Sequence, residues 1–79
     1  MNEGRVFDAV RRSVVRVVPE LNPDSISIED ALADLGCTSV DRADVVALTM
    51  ENLGITVPVR EFEGVRNIRA LVNVLARHV

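Results

Sequence analysis

The 79-residue chain has no lysine, tryptophan or tyrosine, one cysteine, one histidine and two phenylalanines. Each shortage removes a class of function. A single cysteine cannot close an internal disulfide, so a stapled secreted scaffold is excluded. The nine basic residues, all arginine, are outnumbered by twelve carboxylates, giving a formal net charge of −3. With neither a basic cluster nor an aromatic set for base stacking, no nucleic-acid partner is expected. The lone histidine, His78, adjoins the C-terminus without a metal-ligand companion at useful spacing, and reads as a solvated tail residue. No apolar run approaches the roughly 20 residues of a membrane-spanning helix. No charged start, apolar stretch and cleavage site mark a secretory leader. A cytoplasmic protein without membrane contact is the expectation.

What is present is aliphatic. The chain is 48% hydrophobic, and with so few aromatics its core must be built from Val, Leu, Ile and Ala. That suits packed amphipathic helices. The length allows one small module, residues 1–79, and is too short to enclose both a core and a deep catalytic cleft.

Helical periodicity first appears from Glu3 to Val18, where Val6, Phe7, Val10, Val14 and Val17 recur on one face. Pro19 and the run Asn22-Pro23-Asp24-Ser25 stop it. A long connection to Gly36 follows, with Leu21, Ile26, Ile28, Leu32 and Leu35 as anchors into the core, and Ser27–Leu32 able to wind into a short helical turn. Connections this long in small domains usually pack along the fold or carry function. A second helix is predicted from Thr38 or Ser39 to Leu53, closed by Gly54. On its wheel Val46, Met50 and Leu53 fall together, flanked by Ala43 and Val45, while Val40, Asp41, Asp44, Ala47 and Glu51 gather on the exposed side. A short element near Val59–Glu63 and a last helix capped by Asn67, from Ile68 to Arg77 with Leu71, Val72 and Leu75 inward, complete the pattern. No internal repeat or second domain is apparent.

The segment Asp34-Leu35-Gly36-Cys37-Thr38-Ser39-Val40-Asp41 carries the chemistry. Thr38 and Asp41 have capping-box spacing, a hydroxyl at the cap and a carboxylate three residues on. Ser39 then falls in the first turn, its hydroxyl turned outward where helix N-terminal amides and the helix dipole favour an attached phosphate. Cys37 beside it reads as a small packed residue, since no basic residue adjoins it in sequence. Arg42 lies at the edge of the apolar face, where a stem laid over the core with its head in water is the ordinary arrangement.

This segment, with the apolar helix after it and the exit Leu53-Gly54-Ile55-Thr56-Val57-Pro58, resembles the acyl carrier protein family over essentially the whole chain. In that family the pattern is Leu-Gly-x-Asp-Ser-Leu-Asp, a helix, and a Gly-Ile-x-Ile-Pro-like exit. The resemblance implies an all-α four-helix carrier bundle: three main helices, a short one before the last, and a long loop after the first. It also implies that Ser39 accepts 4'-phosphopantetheine from coenzyme A through a phosphopantetheinyl transferase. Thr38 stands where the commonest family form has Asp; a hydroxyl caps a helix about as well as a carboxylate.

The run Thr38-Ser39-Val40-Asp41-Arg42-Ala43-Asp44-Val45-Val46, with Thr49-Met50-Glu51 and Arg66-Asn67-Ile68, is similar to free-standing carriers of polyketide β-branching cassettes. Those have Asn-Ser-Val/Ile-Asp-Arg-Ala-Glu-Ile, Thr-Met-Glu and Lys-Asn-Ile. The likeness implies a carrier that donates an acetyl thioester to a hydroxymethylglutaryl-synthase-like enzyme, which adds it to the β-ketone of a chain on another carrier. Acceptor carriers in such cassettes have a Trp near the site, and this chain has none. The likeness further implies an acyltransferase, ketosynthase or decarboxylase of the same pathway as partners, and a monomer presenting one face to each in turn. Asp41 and Asp44 would offer acidic contacts to a basic partner surface, Val40 an apolar one, and Arg42 a discriminating charge, with Ala47 and Glu51 completing the face.

Other readings compete. Within the carrier class stands a general acyl or malonyl carrier of fatty-acid or polyketide extension. Outside it stands an unmodified helical interaction module, in which Ser39 is a surface serine and Asp41 only the cap partner of Thr38. A Ser or Cys hydrolase needs a base and an orienting group near its nucleophile. The only histidine is far along the chain, so no enzyme is expected.

Overall fold

Valine contributes little to helix formation on its own account, costing up to about 0.7 kcal/mol per residue against alanine. Burying each one fully returns on the order of 1.5–3 kcal/mol. Packing therefore decides the first helix. In a computed structural model that describes residues 3–79, α1 spans Glu3–Val17 and buries Val6, Ala9, Val10 and Val14. α2 spans Ser39–Leu53 and α3 Ile68–Ala76. Short 3-10 turns occupy Pro23–Ser25, Leu32–Leu35 and Val59–Phe62. The fold is all-α, and the short element before the last helix is the third of these turns rather than an α-helix.

α1 lies at the centre and packs against both α2 and α3. Its buried valines form one core with Val45 and Leu53 of α2, with Ile26 and Val57 of the connections, and with Ile68, Leu71, Val72, Val74 and Leu75 of α3. α2 and α3 diverge from it. A cleft of about 430 Å³ opens between them, walled by Ala43, Val46 and Met50 on one side and Val59, Phe62 and Leu71 on the other.

Two expectations for α2 are corrected. Its buried line is Val45, Thr49 and Leu53, whereas Val46 and Met50 are half-buried walls of the cleft and Ala43 is exposed. Hydropathy alone sorted these wrongly because Thr49, fully buried, is polar. Its Oγ1 lies 2.7 Å from the Val45 carbonyl and 2.9 Å from Ser13 Oγ, itself 2.9 Å from the Ala9 carbonyl. Two hydroxyl protons serve three short contacts, which links α1 to α2 through a polar pair in an aliphatic core. Such back-bonding to the preceding turn makes a buried hydroxyl tolerable inside a helix.

The long connection is docked rather than loose. Leu21, Ile28, Leu32 and Leu35 pack against the core as anchors and Ile26 is buried. The helical turn expected over Ser27–Leu32 is displaced: Asp30 Oδ2 accepts the Ser27 amide at 2.8 Å, closing a tight turn, and helical winding begins only at Leu32. The carbonyls of Ile28 and Asp30 accept the amides of Arg69 and Ile68, each at 2.8 Å. Glu29 pairs with Arg69 beside them. The connection thus satisfies first-turn donors of α3 that have no partner within the helix.

Gly36 ends the Leu32–Leu35 turn at φ 95°, a left-handed conformation that a side chain would strain. That reversal delivers Cys37 into the interior and Thr38 to the cap of α2. At the other end of the chain, His78 is not a free tail residue: its Nε2 lies 2.8 Å from Glu61 Oε1, tying the C-terminus to the Val59–Phe62 turn. No helix is long and apolar enough to cross a membrane among the described residues.

Candidate functional site

Thr38 is the N-cap of α2, in extended conformation, and both halves of the capping box form. Thr38 Oγ1 accepts the Asp41 amide at 3.1 Å, and Asp41 Oδ2 accepts the Thr38 amide at 3.0 Å. The Thr38 carbonyl accepts the Arg42 amide at 2.9 Å. The amides of Ser39 and Val40 remain as the open donors of the first turn. Ser39 follows the cap directly, exposed to solvent.

Among the described residues the Ser39 hydroxyl has one side-chain hydrogen-bond partner. Arg42 Nη2 donates to Ser39 Oγ at 3.1 Å, the one-turn spacing at which helix side chains meet. Arg42 lines the cleft together with Leu32, Val65 and Leu71, and the same four residues border a second hollow of about 420 Å³ that also holds Arg66 and Asn67. Arg42 itself is exposed. Its bond to Ser39 was legible only as an i, i+3 spacing, and the hollow with Arg66 not at all.

The remaining sequence-selected residues divide by position. Val40 is 70% exposed, an unusual state for a large apolar side chain. Asp44, Ala47 and Glu51 are exposed and follow Val40 at helical spacing, forming one line along α2. Asp41 is half-buried, with one carboxylate oxygen used by the cap. Cys37 is buried at 6% exposure. Burial first, then the Asp41 charge, pushes its thiol above the ordinary range, against the opposing pull of Arg42. A thiol held neutral in this way is a packing group and a poor nucleophile. Met50 is a wall of the cleft, and its sulfur accepts the Val57 amide at 3.3 Å.

Chemically, the site offers one exposed hydroxyl at a helix start, an adjacent guanidinium and unused backbone donors. Among the described residues that hydroxyl is hydrogen-bonded to no side-chain base, and there is no cluster of three metal-ligating side chains. Such a site can hold an anionic group and present it to solvent. The phosphopantetheine attachment site family matches residues 8–75, most of the chain. This chain belongs to the acyl carrier protein family. A curated relative, the polyketide biosynthesis acyl-carrier-protein AcpK of Bacillus subtilis (strain 168), is 37% identical over 75 residues, 95% of this chain and 92% of its own. Among solved structures, the carrier is similar to a chain from the crystal structure of the curacin biosynthetic pathway HMG synthase in complex with acetyl donor-ACP. That likeness has a TM-score of 0.88 and 30% identity, covering 98% of this chain and 99% of the other.

Membership settles the class of activity. The protein is a carrier and not a catalyst, and 4'-phosphopantetheine is the group its family bears. The residues present fit that group: the exposed hydroxyl, the Arg42 guanidinium and the two open amides suit a phosphodiester, and no carboxylate is bonded to the hydroxyl. Bound there, the group supplies a flexible thiol that holds an acyl unit as a thioester. A helix start with open surroundings would give such a group a fixed root.

Proposed function

We propose that Ser39 Oγ carries the 4'-phosphopantetheine arm and that the carrier delivers an acetyl thioester to a hydroxymethylglutaryl-synthase-like enzyme during polyketide β-branching. The reading is carried by the full-length likeness to a carrier crystallised as acetyl donor with an HMG synthase. The 37% identity to a polyketide-biosynthesis carrier agrees with it. Ser39 is supported by its exposure in the first turn, directly after the cap residue of a closed capping box. Val40, Asp41, Asp44, Ala47 and Glu51 form the docking face, apolar at its head and acidic along its length, with Arg42 as the positive charge at its edge. Contacts of that kind set partner choice and encounter rate more than tight affinity.

The loading partner is a phosphopantetheinyl transferase, and an acyltransferase, ketosynthase or decarboxylase of the same pathway is a further partner. The carrier acts as a single cytoplasmic domain, residues 1–79, and as a monomer. Intact mass before and after incubation with coenzyme A, magnesium and a broad-specificity transferase tests the attachment. The wild type gains one phosphopantetheine and Ser39→Ala gains none, while both keep their helical spectrum, since a surface first-turn substitution changes stability by about 0.5 kcal/mol or less. The acetyl-loaded form is then offered to the synthase-like enzyme beside the malonyl-loaded form. Preference for malonyl would replace the donor role with that of an extension carrier.

A further inference from the structure

Arg42 is the sole basic residue between Arg16 and Arg60, a stretch with eight carboxylates. A guanidinium in such company ordinarily pairs with one of them. Among the described residues it pairs with none, although Asp41 adjoins it in sequence and Asp44 is two residues on. Its one recorded side-chain bond is to a neutral acceptor, the Ser39 hydroxyl.

The surroundings explain the aim. Arg42 lines both hollows beside Leu32, Val65 and Leu71, and what holds its head is the bond to Ser39 rather than a counter-ion. No carboxylate lines either hollow, and the other charge there is a second guanidinium, Arg66. The side of Ser39 toward Arg42 is therefore locally positive in a negative protein. A hydroxyl gives this arrangement no counter-charge. A phosphodiester joined through the same oxygen does, with charged oxygens that match the planar fork of a guanidinium.

Resting on the assignment of Ser39 as the attachment point, we propose that Arg42 is the positioning residue of the loaded carrier. It exchanges the hydroxyl for the charged oxygens of the phosphodiester and starts the arm on the Arg42 side of α2. Asp41 and Asp44 are left clear for docking. Arg66 adds a weaker, longer-range attraction from across the hollow. The arm then leaves the protein in a restricted direction, although the thiol at its far end stays free to travel.

The test uses the loaded carrier and reads phosphorus. Wild type, Arg42→Lys, Arg42→Ala and Arg66→Ala are each loaded, and the gain of one phosphopantetheine is verified by intact mass. Their 31P resonances and linewidths are then compared, together with the Arg42 side-chain 15N–1H resonance before and after loading. The Arg42 resonance is expected to move on loading. In Arg42→Ala the phosphorus resonance should shift and narrow as the phosphodiester gains freedom. Arg42→Lys, which keeps stem and charge but not the fork, should fall between, and Arg66→Ala should stay near wild type. A phosphorus signal identical in position and width in all four loaded proteins overturns the proposal, as does an Arg42 resonance indifferent to loading. Failure of the underlying assignment shows earlier and separately, as a wild type that gains no mass or a Ser39→Ala variant that does, and it removes the inference with it. If Arg42→Ala does not fold, the comparison of wild type with Arg42→Lys carries the same decision.

Discussion

Thr38→Ala removes the oxygen that accepts the Asp41 amide and leaves the reciprocal bond, Asp41 Oδ2 with the amide of residue 38, in place. Both bonds are exposed, so water can reach the freed amide and the loss sits near the middle of the range for helix caps, about 1 kcal/mol. A domain of this size unfolds with an entropy that turns 1 kcal/mol into roughly 4–8 °C of melting temperature. Set against a total stability on the order of 5–15 kcal/mol, the variant stays folded. Thr38→Asp places a carboxylate oxygen in the same reach and gains from the helix dipole. It also adds a negative charge close to Asp41, and the two effects largely offset, so most of the lost melting temperature returns. Thermal unfolding followed by circular dichroism measures both variants, and the rate of phosphopantetheine gain measures the site. Loading of Thr38→Ala should slow as the turn bearing Ser39 frays, and Thr38→Asp should recover it. A Thr38→Ala protein that melts with the wild type, or a Thr38→Asp protein as unstable as Thr38→Ala, would refute the account of how this serine is held.

Ser13→Ala and Thr49→Val should each cost about 0.5–1.5 kcal/mol in denaturant unfolding, while the double variant costs less than their sum, because the hydroxyl–hydroxyl contact they share is already lost in either single variant; strictly additive losses would show that the two hydroxyls are not coupled. The Asp8, Glu29 and Glu61 carboxyls are held below their ordinary values, first by hydrogen bonds from Arg11, Arg69 and His78 respectively. A depressed carboxyl stabilises the fold above its ordinary value and stops doing so as pH falls through the lower folded one. The denaturation midpoint should therefore decline below about pH 4.5, the ordinary value for Glu29 and Glu61, by a small amount that added salt reduces, and Glu29→Gln should remove part of the slope. Asp44→Arg should weaken productive docking with the synthase-like enzyme while helical content is unchanged; undiminished turnover with every partner would take Asp44 off the docking face.

The reading of the sequence succeeded where one residue decides a local conformation. Thr38, Gly54 and Asn67 mark ends of α2 and α3 through side-chain or backbone chemistry that operates within a few residues. The serine at the head of α2 was visible for the same reason. It faltered where tertiary neighbours choose. Thr49 is buried because Ser13, 36 residues away, receives it, and no local pattern contains that pairing. Val46 and Met50 look like core on a wheel, yet they line a cleft whose other side is set by the distant Val59, Phe62 and Leu71. The link from His78 to Glu61 and the pocket shared by Arg42 and Arg66 likewise join distant segments. Hydropathy can say which residues avoid water, but not which other helix will cover them.

The seam between the first connection and α3 bears on how this chain could be divided. The halves of that connection differ: Asn22–Ser25 is exposed and bonded only to itself and to the neighbouring Ile26 amide, whereas Ile28 and Asp30 are hydrogen-bonded to the start of α3. A backbone break at Asp24 would leave the larger fragment with its seam, its cap and Ser39 intact. What it would lack is a lining for the groove that α1 fills with Val6, Val10 and Val14. Past such a break α1 would be held by the shared core alone, so a chain cut there stays assembled only as long as that packing does.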